Sequence, residues 1–196
     1  MANAHDVAAA VLTRTGTITT MKLQKLVYYS QAWHLVFHNV PMFEERIEAW
    51  PQGPVTPSLY AQHRKQYEVA DWPRGHEGRL DSPELETLTW VLDKYAGFSA
   101  ESLSRMTHME IPWKTARGIL GDNEKSSAQI SLAQLRHFYS RQRTDPDVAV
   151  AQAAASSAIE GVDLDDEWQR KLRDVASGTL TADELVAEEI RRARLQ

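Results

Sequence analysis

The sequence predicts a mainly α protein: a compact helical domain over residues 1–143 with a minor extended or β element, then a small three-helix C-terminal unit over residues 144–196. Three observations point there. Apolar residues recur at helical spacing through most of the chain. Helix starts are marked repeatedly by Ser, Thr or Asp followed by Pro or Glu. The composition changes at Arg141–Pro146, from a part rich in large aromatics (Trp33, Trp50, Trp72, Trp90, Trp113) to an alanine-rich, acidic part whose only aromatic is Trp168.

Val7 to Thr13 reads as a short helix, and Thr19 or Thr20 caps a longer one from Met21 to Phe37. Leu26, Tyr29, Trp33 and Phe37 repeat along that helix and predict one core-facing side. Arg46 to Trp50 alternates in character and runs into Pro51-Gln-Gly-Pro54, which reads as a short strand ending in a rigid turn. Pro57 opens a helix expected to contain Leu59, Tyr60, His63 and Tyr67. Ser82 is the expected cap of the next, with Pro83 at its first position and Leu85, Leu88, Leu92 and Tyr95 on one side. Helices over Ser99 to Thr107, Pro112 to Arg117 and Ser131 to Tyr139 complete the first part.

The tail is punctuated more sharply. Asp145 caps and Pro146 opens a helix running to about Glu160, and Gly161 stands where a left-handed residue ends it. A second helix begins near Asp165, carries Leu164, Trp168, Leu172 and Val175 as its apolar stripe, and stops at Gly178. Thr181-Ala-Asp-Glu184 is a capping box for a third, with Leu180 and Leu185 as the matching hydrophobic staple.

A length of 196 residues with 42% hydrophobic content supports one full core and an appendage. Cysteine is absent, so no disulfide framework or thiolate metal site exists, and the expected compartment is cytoplasmic. Met1 to Ala10 lacks the basic start and apolar run of a signal peptide, and no membrane span is expected. The net charge of −5 supplies no positive field for autonomous nucleic-acid binding.

Side chains that carry chemistry give little sign of an enzyme. His34 and His38 are four apart, a metal-compatible spacing to which His63, His76 and His108 are conceivable additions, but the companion acid of a zinc-protease helix is missing. They read as hydrogen-bonded structural imidazoles, and no metal or cofactor is expected. His108 with Glu110 resembles a base and its partner. No serine elbow, phosphate-cradling glycine loop or carboxylate pair accompanies it. Lys22 and Lys25 with Arg64 and Lys65 read as the solvated faces of two helices.

A resemblance sharpens this reading. Thr20-Met-Lys-Leu-Gln-Lys-Leu-Val-Tyr-Tyr-Ser-Gln-Ala-Trp33, Glu48-Ala-Trp-Pro-Gln-Gly-Pro-Val55, Leu59-Tyr60 and Thr107-His-Met-Glu-Ile-Pro-Trp113-Lys-Thr-Ala116 together resemble the Panacea domain of bacterial and phage antitoxins. That resemblance implies neutralisation of a neighbouring toxin by complex formation and accounts for Thr107 to Trp113 as a structural signature. Downstream, Ser156-Ser-Ala-Ile-Glu160-Gly161 is similar to the inhibitory motif of Fic-regulating antitoxins of the VbhA kind: Ser or Thr, three residues, Glu, then Gly or Asn. Gly178 to Leu185 resembles the last helix of those antitoxins.

The second resemblance implies a Fic-domain toxin, encoded nearby, as partner. Fic enzymes transfer AMP from ATP and hold the terminal phosphates with an arginine. Glu160 presented to that arginine forms a charge-assisted pair in place of the γ-phosphate and leaves ATP in an unproductive pose. Ser156, four residues earlier, shares the face of Glu160, and Ala149 and Ala153 continue that face as a smooth toxin-facing surface. Gly161 lets the chain turn away. The resemblance leaves the body free to enlarge the interface, recruit a protease or chaperone, or sense a phage protein. Competing readings are a proteolytic adaptor, an antitoxin for a non-Fic toxin with a purely structural tail, and, weakest, an enzyme that removes the modification.

Overall fold

The computed structural model describes residues 2–121, 123–142, 165–176, 180 and 182–193. The chain divides into two units, Met1–Ser140 and Arg141–Gln196. The described residues are mainly helical, with two small antiparallel pairs of strands.

The first unit is built around α2 (Thr20–His38). Thr19 caps it, its hydroxyl accepting from the Lys22 amide, and Asn39 ends it at φ 62°. One core-facing side was expected; instead Leu23 to Leu35 are buried without interruption. Helices α1 (Ala4–Thr15), α4 (Ser82–Tyr95), α5 (Ala100–Met109) and α7 (Leu132–Ser140) all pack on α2. A helix enclosed on every side must satisfy its polar side chains internally; Ser30 bonds back to Leu26 O, and the longer side chains hold neighbouring segments. Gln31 Nε2 donates to Phe43 O at 2.8 Å, while its Oε1 accepts from Met42 N at 2.7 Å. Gln24 takes both backbone groups of Thr56. Lys25 Nζ donates to Pro54 O at 3.1 Å. Lys25 is 1% exposed, which corrects its placement on a solvated face; Lys22 reaches the C-terminal carbonyl of α4 at Ala96.

Aromatic rings fill the space between these helices. Tyr29 stacks on Tyr95 with centroids 4.1 Å apart, Trp33 lies 4.5 Å from Trp90, and the Trp33 indole donates to Tyr95 Oη at 3.0 Å.

Other boundaries moved for identifiable reasons. Helix α4 is capped by Asp81, not Ser82, because Asp81 and Glu84 form a reciprocal capping box. Glu84 also accepts from Ala2 N at 3.1 Å, fastening the N-terminus. Helix α1 is longer than expected, started by a capping box between Asn3 and Asp6. Helix α3 (Pro57–His63) stops before Tyr67, since Lys65 takes a left-handed φ of 71°. The chain then returns as β4 (Glu68–Val69) to pair with β1 (Ile18–Thr19). The expected rigid turn is a hairpin: β2 (Glu48–Trp50) pairs with β3 (Gly53–Val55) in the register Glu48 to Val55, Ala49 to Pro54 and Trp50 to Gly53. Residues 128–130 run along the other edge of β2, with Ala49 N donating to Ala128 O and Ile130 N to Ile47 O.

In the second unit, α8 (Asp166–Ala176) and α9 (Ala182–Ala193) pack on each other. Asp165 caps α8, its Oδ1 accepting from Trp168 N at 2.8 Å. The helix expected over residues 146–160, Gly178 and Thr181 lie outside the described residues. No helix among the described residues is long and apolar enough to cross a membrane.

Candidate functional site

Ala149, Ala153, Ser156, Glu160 and Gly161, which make up the expected inhibitory motif and its smooth face, all lie outside the described residues. An exposed ion pair links the two helices C-terminal to that motif. Glu167 on α8 bonds Arg192 on α9 and Lys171 one turn along, and these partners, Arg192 first, hold its carboxyl down to about 2. Lys171 Nζ sits 5.5 Å from the Trp168 ring centroid. Leu185 is buried, whereas Val186 and Ile190 on α9 are 56% and 48% exposed. A pair of short helices that leaves large apolar side chains in solvent offers a surface to a partner.

The first unit contains two further arrangements. The first is a buried carboxylate, Glu110, at the junction of α5 and α6 (Ile111–Arg117). Its Oε2 accepts from Tyr139 at 2.6 Å and Tyr28 at 2.9 Å, and its Oε1 from Tyr29 at 3.1 Å. Burial pushes the carboxyl up, partly offset by the three phenol donors. Burial raises all three phenols too. Glu110 therefore does not partner His108 as a base; His108 stacks on Trp113 with centroids 4.3 Å apart. The cluster ties α2, the α5–α6 junction and α7 together. Sequence reasoning missed it because its members are separated by up to 111 residues.

The second is a groove of about 730 Å³, the size of a ligand or peptide pocket. Its floor is Gln24 and His63; its walls include Trp50, Tyr60 and Glu48; and Glu101 and Lys125 stand among its polar lining. Gln24 is oriented by Thr56, whose amide donates to Oε1 at 2.8 Å, so Nε2 must donate to His63 Nε2 at 2.9 Å. His63 is therefore an acceptor at Nε2, and burial lowers its tendency to protonate. Arg117, outside the lining, donates to Ala49 O at 3.1 Å and to Glu124 O at 2.9 Å, and lies over Trp113.

The other histidines are placed structurally. Thr87 Oγ1 donates to Pro83 O, so His34 Nδ1 donates to Thr87 Oγ1 at 3.0 Å. His34 and His38 are near each other, 4.5 Å between centroids, but among the described residues no three metal-ligating side chains gather.

Two family models of antitoxin domains match parts of this chain. The profile of the SocA-like antitoxin Panacea domain matches residues 23–114, and that of antitoxin VbhA matches residues 148–192. The chain thus carries an N-terminal SocA-like Panacea antitoxin domain and a C-terminal VbhA antitoxin domain. Comparison with curated proteins and with solved structures gives no match. Antitoxin domains of these families are generally non-catalytic.

Proposed function

We propose that the protein neutralises a Fic-type, AMP-transferring toxin in the cytoplasm by placing Glu160 against the arginine that holds the terminal phosphates of ATP, and that it does so without catalysis. The observation that carries this reading is the VbhA match over residues 148–192, which contains Ser156, Glu160 and Gly161 in the inhibitory order. VbhA antitoxins inhibit Fic toxins. A carboxylate paired with that arginine displaces the γ-phosphate, and the α-phosphate then lies out of line with the attacking hydroxyl. The body, residues 1–143, and the tail, residues 144–196, act as separate parts: the tail blocks the site, and the body adds interface or brings a protease or chaperone.

The test is AMP transfer by the Fic protein encoded beside this chain, mixed with the wild type or with Glu160→Gly, with a pull-down of each pair. Retained binding with restored transfer is the expected result. Inhibition undiminished in the variant would show that the carboxylate is not the blocking group. The Panacea match supports a second reading, delivery of the toxin to a protease. On that reading binding is indifferent to Glu160, and toxin loss in cells requires the protease. A neighbouring frame with His-x-Phe-x-(Asp/Glu)-Gly-Asn-Gly-Arg favours the first reading.

A further inference from the structure

The groove of the first unit has more chemical character than its volume suggests. Its floor offers no charge: the Gln24 amide is engaged by Thr56 and His63, and His63 is neutral as the acceptor of that amide. Its wall offers π surface and negative charge. Trp50 and Tyr60 meet as a corner, centroids 4.8 Å apart at an interplanar angle of 67°. The indole N–H of Trp50 is turned onto Glu48 Oε2 at 2.7 Å, which pins the ring.

Glu48 has a side chain only 4% exposed. Its Oε1 lies 2.9 Å from Arg46 Nε yet receives no aligned hydrogen bond, and Arg46 itself is 65% exposed. The mostly exposed Arg46 thus pairs with this carboxylate by charge and leaves Oε1 without a donor in line, so a second cation competes with Arg46 for it. The second carboxylate of the lining is Glu101, and its one ammonium is Lys125. Two carboxylates thus stand against one ammonium beside the aromatic faces, and the group that complements carboxylate and ring together is a planar, donor-rich cation. A guanidinium meets both demands at once, stacking on indole and phenol faces while donating to a carboxylate in the same plane. An ammonium meets only the charge demand. At about 730 Å³ the groove also takes the residues on either side of such a side chain.

We propose that this groove binds an arginine-bearing segment of a partner protein, with the guanidinium held in the Trp50–Tyr60 corner against Glu48. This site is independent of the Glu160 mechanism and lies wholly within the first unit. It gives the Panacea body a recognition element of its own.

The experiment titrates the full chain with three blocked pentapeptides, Gly-Ala-X-Ala-Gly, in which X is arginine, citrulline or leucine. Amide and indole NMR shifts give the site, and calorimetry gives the affinity. Citrulline keeps the shape and removes the charge, so the comparison leaves the protein untouched. The arginine peptide is expected to shift the Trp50 indole and Tyr60 saturably, to bind about tenfold or more tighter than the citrulline peptide, and to weaken with added salt. Glu48→Gln is expected to lose most of that preference, and Arg46→Ala, which removes the competing cation, to strengthen binding. Citrulline or leucine binding as tightly as arginine would make the groove an apolar anchor site and overturn the proposal. So would shifts confined to other residues, or no saturation below about 10 mM. The citrulline comparison decides the matter even where Glu48→Gln weakens the fold.

Discussion

The Cβ that Gly53 lacks would stand 2.7 Å from Cε of Lys25 and 2.9 Å from its Nζ. It would also meet Thr107 Oγ1 at 2.7 Å, and Gly53 has a φ of 100°. Strand β3 thus lies directly on the buried lysine of α2, whose terminal nitrogen donates to the next carbonyl, Pro54. Gly53→Ala meets strain and collision together and is expected to cost about 3 kcal/mol or more in urea unfolding. Because two of the three clashing atoms belong to Lys25, the double variant with Lys25→Ala is expected to lose less than the sum of the single losses. Strict additivity would mean that the lysine has room to move aside.

Lys25 also sets a pH dependence. Burial brings its pKa from 10.5 down to about 7, and the neutral amine is the form the fold favours. The folded value lies below the unfolded one, so the stabilisation is complete above the unfolded pKa and is lost as pH falls through about 7. Between pH 7 and the tyrosine range, stability is expected to rise with pH by as much as about 1.4 kcal/mol per unit. Near pH 10 the buried tyrosines, raised in the fold, act in the opposite sense. Lys25→Met is expected to flatten the rise, measured as the urea midpoint from pH 7 to 9.5; a slope unchanged in the variant would assign it to another group.

Glu110 is the acceptor for three buried phenols, and it joins the last helix of the body to the centre. Glu110→Leu leaves Tyr28, Tyr29 and Tyr139 without that acceptor and is expected to cost about 3–5 kcal/mol. Glu110→Gln keeps one acceptor oxygen and is expected to cost clearly less. Equal losses in the two variants, by denaturant unfolding, would mean that one acceptor oxygen does not replace the carboxylate and that its charge and second oxygen carry the effect.

These clusters explain what the sequence could and could not reveal. Thr19, Pro57 and Ser99 marked their helices correctly because capping is local, and Asp81 could have been preferred over Ser82 from its three-residue spacing to Glu84. Lys25 was misplaced because periodicity treats a charged residue as outward-facing, whereas here a carbonyl 29 residues away receives it. Strand β3 was hidden by its Gly-Pro pair, which reads as turn; the pairing is made by Glu48 and Trp50 on the partner strand. Nothing contiguous in the sequence marks the groove. Its carboxylate, neutral histidine and oriented glutamine come from separate elements and meet only on folding. The tail resemblance depends instead on a contiguous run of residues, so it is read without any fold.

That contiguity allows a finer division of labour within the proposed inhibitory motif. Ser156 and Glu160 are four apart, on one face of the helix that the sequence predicts. If the carboxylate displaces the γ-phosphate, the hydroxyl acts only by steadying it or by a bond within the toxin site, a single hydrogen bond against an ion pair. Such a bond is worth about 0.5–1.5 kcal/mol, so Ser156→Ala is expected to weaken inhibition by about 3- to 10-fold. Glu160→Gly is expected to remove it at antitoxin concentrations that still saturate binding. Transfer assays at several ATP concentrations separate the roles: if displacement of the γ-phosphate is the mechanism, Ser156→Ala retains the blocked nucleotide pose and shows only a right-shifted inhibition curve. A Ser156→Ala variant as active in transfer as Glu160→Gly, with binding intact, would move the blocking function from the carboxylate to the pair.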